Sequence, residues 1–130
     1  MIDCTLHEIR GVQSSWKRAD LTGADLYKAN LERASLSGVS ASEAKLEEAT
    51  LTHADMSYAN FNITNLRYAN LAYADLKYTD LTRADLSYAN LAYADLFGAD
   101  LSHANLEGVY LKDAQTHPTC LLYTSPSPRD

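Results

Sequence analysis

The chain contains little cysteine, little proline and no long hydrophobic run. Its two cysteines, Cys4 and Cys120, lie near opposite ends without partner spacing, so the sequence indicates neither a disulfide framework nor a zinc site. No stretch approaches the ~18 consecutive apolar residues of a membrane-spanning helix. The opening MIDCTLHEIR also lacks the apolar core of a signal peptide. We therefore expect a cytoplasmic protein without a membrane partner.

Basic residues are scarce as well. The chain has 11 Lys and Arg against 17 Asp and Glu, which gives a net charge of −6. Between residues 19 and 113 there are fourteen acidic and seven basic residues. A surface that binds nucleic acid carries the opposite sign, so direct binding to DNA or RNA is not predicted.

Recognisable catalytic motifs are missing from the sequence. It has no Gly-x-Ser-x-Gly elbow and no glycine-rich phosphate loop. Its Asp residues recur at a fixed interval, which is typical of a short polar side chain that bonds to nearby backbone. We predict that the protein is not an enzyme and has no catalytic residues, no cofactor-binding residues and no metal site.

What the sequence does contain is a five-residue repeat from Ala19 to Asp113. Its clearest part reads AYADL KYTDL TRADL SYANL AYADL FGADL SHANL. Of the nineteen central positions, sixteen are Leu; fifteen of the residues two places earlier are Ala, and fourteen of those one place earlier are Asp or Asn. An internal repeat this regular determines the architecture.

A period of five fits neither a helix nor one long strand. On a helix the Leu residues would advance by about 140° per repeat and form no stripe, and in a strand they would alternate between the two faces. Within one unit, however, the Ala, Asp/Asn and Leu positions point in, out and in, as in a short strand. The two variable residues then turn a corner, so the chain winds into stacked coils around a core of Ala and Leu.

This repeat resembles that of the pentapeptide-repeat proteins over residues 19–113. The resemblance implies an all-β fold, a right-handed quadrilateral parallel β-helix of about five coils in which residues 20 apart stack on each other. It also implies an interior with columns of leucine, among them Leu66, Leu71, Leu76, Leu81, Leu86, Leu91, Leu96, Leu101 and Leu106.

Three segments lie outside the repeat. Residues 1–18 have enough apolar surface to cover the open first coil as an N-terminal cap, with Trp16 in the Leu register. Residues 114–119 are a degenerate end of the repeat, since Pro118 cannot continue a ladder. Residues 120–130 match the in-frame translation of a sequencing adapter, and we interpret them as a non-native tail; the alternative is a natural Pro- and Ser-rich tail.

Departures from the repeat predict local features. Ala41 replaces a Leu and should leave the core thin, whereas Met56 and Phe61 add volume in the next coil. The glycines at second variable positions can supply the positive φ that a corner requires: Gly23, Gly38, Gly98 and Gly108.

Stacking by 20 residues singles out one candidate interaction face. Three of the four columns of second variable positions contain Tyr pairs: Tyr58 with Tyr78, Tyr68 with Tyr88, and Tyr73 with Tyr93. At one corner such a pair lies between two acidic columns, and Tyr is enriched in the cores of protein interfaces. The alternative is a solvated surface that only keeps the solenoid soluble. The candidate face comprises Asp55, Tyr58, Asp75, Tyr78, Asp80, Asp95, Phe97 and Asp100.

Two functions fit these observations. The first is a scaffold or protein interaction module with an unidentified protein partner. The second follows from the family resemblance: an acidic mimic of DNA that occupies the basic DNA-binding surface of a type II topoisomerase, DNA gyrase or topoisomerase IV, and alters quinolone sensitivity. About five coils at ~4.8 Å per coil carry roughly half the linear charge density of duplex DNA, which favours the first. The oligomeric state is not predicted.

Overall fold

The computed structural model describes residues 4–116, and this part of the chain contains no helix. It is a right-handed quadrilateral β-helix, which confirms the predicted fold class. Its strands are single-residue parallel bridges between positions 20 apart, from Thr5↔Asp25 to Asp95↔Gln115. No helix of the described residues is long and apolar enough to cross a membrane.

The bridges form four columns, one on each side of the solenoid. We number these sides in chain order by their bridging residues. Side 1 contains Thr5, Asp25, Lys45, Asn65, Asp85 and Asn105; side 2 contains Arg10, Asn30, Thr50, Asn70, Asn90 and Tyr110; side 3 contains Ser15, Ser35, Asp55, Asp75, Asp95 and Gln115; side 4 contains Asp20, Ser40, Asn60, Asp80 and Asp100.

Backbone hydrogen bonds explain why a five-residue unit suffices. The N–H of Leu66 donates to the carbonyl of Asp85 in the next coil (2.8 Å), while the N–H of Asn65 donates to Ala44 in the previous coil (3.0 Å). The corner is closed within the unit, because Ala69 N–H donates to the Leu66 carbonyl (3.1 Å). This bond together with a positive φ at the third turn residue, Tyr68 (58°), corresponds to a type II turn.

Small residues and leucines fill the interior. All nine leucines named above have 2% or less of their surface exposed. Thr64 and Thr79 stand in two small-residue positions, and their hydroxyls donate to the carbonyls of Ala41 (3.0 Å) and Met56 (2.8 Å) in the coil before. Among the described residues, no buried side-chain polar atom lacks a hydrogen-bond partner.

The N-terminal segment differs from the predicted cap. The coil pattern begins at Thr5, and residues 5–18 make the same parallel bridges as the later units. The ladder needs only backbone groups and therefore tolerates Arg10 and Gly11 in place of the repeat residues. Trp16 does occupy the Leu register and donates from Nε1 to Ser14.

At the other end the ladder continues past the repeat, since Gln115 bridges to Asp95. The predicted tail, residues 120–130, and residues 117–119 of the predicted degenerate end lie outside the described residues.

Candidate functional site

The eight residues of the candidate face meet at the corner between side 3 and side 4. We call this group the acidic corner. Asp55, Asp75 and Asp95 are bridged to one another on side 3, and Asp80 and Asp100 are bridged on side 4. The corner residues themselves, Tyr58, Tyr78 and Phe97, lie between these columns. The structure therefore brings all eight predicted residues to one edge of the solenoid.

Aromatic rings form an exposed ridge along this corner. The rings of Tyr58 and Tyr78 stack with centroids 5.3 Å apart and planes 17° apart, and Phe97 meets Tyr78 edge-on at 5.8 Å. The exposed fractions are 68% for Tyr58 and 48% for both Tyr78 and Phe97. The Tyr78 ring leans over Gly98, where a Cβ atom would come within 2.5 Å of the ring. A side chain at residue 98 would therefore displace the Tyr78 ring from this position.

Each carboxylate of the acidic corner first serves its own turn. Oδ1 of Asp55, Asp75 and Asp95 accepts the backbone N–H two residues later, at 3.0 Å in all three cases. Asp80 and Asp100 do the same at 2.9 Å. This arrangement is an Asx turn, the role that the sequence indicated for the recurring Asp residues. Since the turn uses only Oδ1, the negative charge remains available on the surface.

Two groups modify the charge of the corner. The pKa of the Asp100 carboxyl lies below its ordinary value. The main cause is the hydrogen bond that the Ser102 hydroxyl donates to it, and the second is the hydrogen bond from the Ser102 N–H. Asp100 therefore stays ionised to a lower pH than an unperturbed Asp. The ammonium of Lys77 lies 3.5 Å from Oδ2 of Asp75 and offsets part of its charge. An exposed pair at this distance contributes little to stability.

Sequence reasoning missed part of the aromatic surface. Tyr68 stacks on Tyr88 at 5.2 Å and Tyr73 on Tyr93 at 4.8 Å, as the 20-residue spacing predicts. His53 extends the second stack by one ring, at 4.8 Å and 6° from Tyr73. The signal was present in the sequence, because His53 precedes Tyr73 by 20 residues.

Within the described residues, no group of three or more His, Cys, Asp and Glu side chains could hold a metal ion.

The sequence profile of the Pentapeptide repeats family matches in eight copies, over residues 3–38, 29–67, 64–102 and 94–115. The chain is similar to HetL, a pentapeptide repeat protein involved in heterocyst differentiation regulation in the cyanobacterium Nostoc sp. strain PCC 7120. The two share 36% identity over 85% of this chain and 56% of HetL, with a TM-score of 0.49. This chain thus spans little more than half the length of HetL.

Two further structures are similar in sequence or fold. The pentapeptide repeat protein alr5209 of Nostoc PCC 7120 shares 35% identity over 72% of this chain and 78% of its own length, with a TM-score of 0.53. QnrB1, a plasmid-mediated fluoroquinolone resistance protein, shares 20% identity over 87% of this chain and 65% of its own length, with a TM-score of 0.49. No curated protein sequence matches the chain.

Proposed function

The chain belongs to the pentapeptide-repeat family, and from this membership we propose that it is a non-catalytic binding module whose contact surface is the acidic corner. The observation that carries the proposal is the coincidence at one edge of five carboxylates and three exposed aromatic rings.

The aromatic ridge supports binding to a protein. Tyr and Phe contribute large contact areas in interface cores, whereas a solvated solenoid edge has no need of exposed rings. Tyr58, Tyr78 and Phe97 are held by their stacking and edge contacts. Little conformational freedom would therefore be lost when they are covered.

The carboxylates support a basic partner. Side-3 and side-4 columns repeat at ~4.8 Å along the axis, and across the corner they flank the rings on both sides. A basic surface would be steered towards this edge, and association would weaken as salt rises. The partner chemistry that fits is a protein surface rich in Lys and Arg around an apolar centre.

The test compares pull-downs with wild type and with Asp75→Asn, Asp80→Asn and Asp95→Asn combined. Asn keeps the Oδ1 acceptor of the Asx turn, so the fold should be retained while three charges disappear. A matched control removes three charges from side 1 by Glu47→Gln, Asp85→Asn and Glu107→Gln. We expect a salt-sensitive partner that the first variant loses and the control retains. Equal binding by all three proteins would show that the acidic corner is not the contact.

The DNA mimic is the second candidate function, and the regular acidic columns favour it. It requires inhibition of DNA supercoiling by gyrase or of the corresponding topoisomerase IV reaction, an effect that the acidic-corner variant should lose. Absence of inhibition at low salt and high protein concentration would eliminate this candidate and leave the binding module. Both candidates predict that binding depends on ionic strength.

A further inference from the structure

Side 2 differs from the other three sides in having a stretch without charge. Over three coils its bridging residues and the turn residues that follow them are all neutral, and Ala92 among them is buried: Thr50, Thr52, Asn70, Ala72, Asn90 and Ala92. Two aromatic stacks border this stretch, Tyr68 with Tyr88 at one corner and His53, Tyr73 and Tyr93 at the other. In the same coils, sides 1, 3 and 4 all contain charged residues. We call this surface the neutral face.

We propose that the neutral face binds the neutral face of a second copy of this chain, so that the protein self-associates side by side. This association is separate from the acidic corner and does not depend on its proposed function.

Charge limits how two copies can approach each other. Each copy has a net charge of −6, and the carboxylates of sides 1, 3 and 4 would meet like charges if those sides were apposed. Like charges facing each other across an interface cost several kcal/mol. Apposing two neutral faces avoids this repulsion, and the small side chains of Ala72 and Ala92, in the turns at the edge of side 2, do not obstruct a close approach.

The spacing of the neutral face also fits a second copy. Its groups repeat once per coil, at the ~4.8 Å that separates neighbouring strands. A second stack of strands presents the same period, and two such faces pack about 10 Å apart. In Asn70 and Asn90, Oδ1 accepts the N–H of Ala72 (3.1 Å) and Ala92 (2.9 Å). The amide Nδ2 of each Asn can then donate to Thr or Tyr oxygens of the other copy.

The two Tyr stacks provide the apolar part of the contact. The exposed fractions are 51% for Tyr68, 52% for Tyr73 and 42% for Tyr93. Their rings stack along the axis and leave ring edges exposed, whereas the Tyr88 hydroxyl donates to Oε1 of Glu107 (3.2 Å). The stretch extends about 14 Å along the axis at ~4.8 Å per coil, which is small for an interface that would bury ~800 Å² per partner. We therefore expect weak, reversible association.

The test is sedimentation of the full chain over a dilution series from about 1 µM to about 1 mM. Ala72→Arg places a charge in the turn at the edge of the neutral face, in the repeat position that Arg67 has in its own unit. Ser42→Arg is the control, since it adds the same charge at the same repeat position on side 4. We expect association of wild type and Ser42→Arg, and association at least about tenfold weaker for Ala72→Arg.

A mixing experiment separates a direct contact from misfolding. Ala72→Arg and Ala72→Glu should each associate weakly alone, whereas an equimolar mixture should associate more strongly than either, because opposite charges then meet across the twofold axis. The inference is wrong if the wild type remains monomeric over the whole range. It is also wrong if Ala72→Arg associates as well as the wild type, or if mixing has no effect.

Discussion

The second variable residue of each unit has a positive φ whatever its side chain. Eighteen non-glycine residues have this conformation, with φ between 55° and 62°. They include the β-branched Ile63 (59°), for which a positive φ is normally an outlier. The ladder holds these residues in place, since Ile63 N–H donates to Thr82 (3.0 Å). The sequence pointed to this conformation only at the glycines, because Tyr, Arg and Glu have no preference for it.

Gly98 also has a positive φ, and the Tyr78 ring leaves little space for a side chain at this residue. Gly98→Ala should reduce the free energy of unfolding by about 1–2 kcal/mol for the left-handed backbone, and further because the new Cβ displaces the Tyr78 ring. Gly38→Ala is the control, since its Cβ would meet only Arg18 at 3.4 Å. Urea unfolding should show the larger loss for Gly98→Ala, and near-ultraviolet circular dichroism should show altered Tyr signals. In a Tyr78→Ala background the two substitutions should cost the same.

A pair of residues joins the first two coils on side 1. His7 Nε2 lies 2.7 Å from Oδ2 of Asp25, and this hydrogen bond is the main reason why the pKa of Asp25 is below its ordinary value of 3.8. A lowered folded pKa means that the unfolded state binds more protons in acid. The contribution of Asp25 to stability is therefore present above pH 3.8 and is lost as pH falls through the lower folded pKa.

The prediction is a stability difference that depends on pH. At neutral pH, Asp25→Asn should unfold more easily than the wild type, and the difference should shrink as the pH is lowered below about 4. Thermal unfolding of both proteins between pH 7 and pH 2.5 measures it. Asp95→Asn is a control in the same turn position without a His partner. A difference that grows in acid would contradict the assignment of the pair.

At the scale of the coil, a residue that is too small for the core in one coil lies next to a residue that is larger than usual in the neighbouring coil. Ala41 and Phe61 occupy the same column, since Ala41 N–H donates to the Asn60 carbonyl (2.8 Å). Both are buried, with exposed fractions of 0% and 1%. The extra volume of Phe61 therefore lies directly next to the position where Ala41 lacks a Leu side chain, as the sequence had suggested.

The two positions should be coupled in stability. Phe61→Leu alone should leave a cavity and cost about 1–3 kcal/mol, and Ala41→Leu alone should overpack the column at a similar cost. The double variant restores Leu to both positions and should cost less than either single change. Guanidinium unfolding of the four proteins gives the coupling energy. Additive losses would mean that the coils relax independently.

At the scale of the whole molecule, the winding and the core could be predicted from the sequence because one short unit specifies both. The Ala, Asp/Asn and Leu positions determine which side chains point inwards, and the period of 20 determines the columns. The beginning of the winding was harder to predict, because Thr5, Arg10 and Ser15 replace the Asp or Asn of the repeat, although Leu6, Ile9 and Trp16 keep its inward apolar positions. The position of the eight residues of the acidic corner on one edge could be predicted for the same periodic reason. No motif in the sequence indicates what this edge would bind.

The stacked carboxylates lead to a prediction about salt. In the columns of side 3 and side 4, Asp75 lies between Asp55 and Asp95, and Asp80 is next to Asp100. Charges about 4.8 Å apart repel each other by roughly 0.9 kcal/mol even at the dielectric constant of water. Raising sodium chloride from about 0.01 M to 0.15 M shortens the screening length from ~30 Å to ~8 Å and weakens this repulsion. The melting temperature of the wild type should therefore rise with salt.

The same triple variant, Asp75→Asn with Asp80→Asn and Asp95→Asn, tests this explanation. It retains the Asx-turn acceptors and removes the charges, so its melting temperature should exceed that of the wild type at low salt and should respond less to added salt. The side-1 control with Glu47→Gln, Asp85→Asn and Glu107→Gln has the same net charge. Its response should remain closer to that of the wild type, because its charges are not stacked in adjacent coils and Asp85 is paired with Arg67 at 3.9 Å. Equal responses in the two variants would attribute the effect to net charge rather than to the columns. A wild type destabilised by salt would mean that the attractive pairs outweigh the stacked carboxylates.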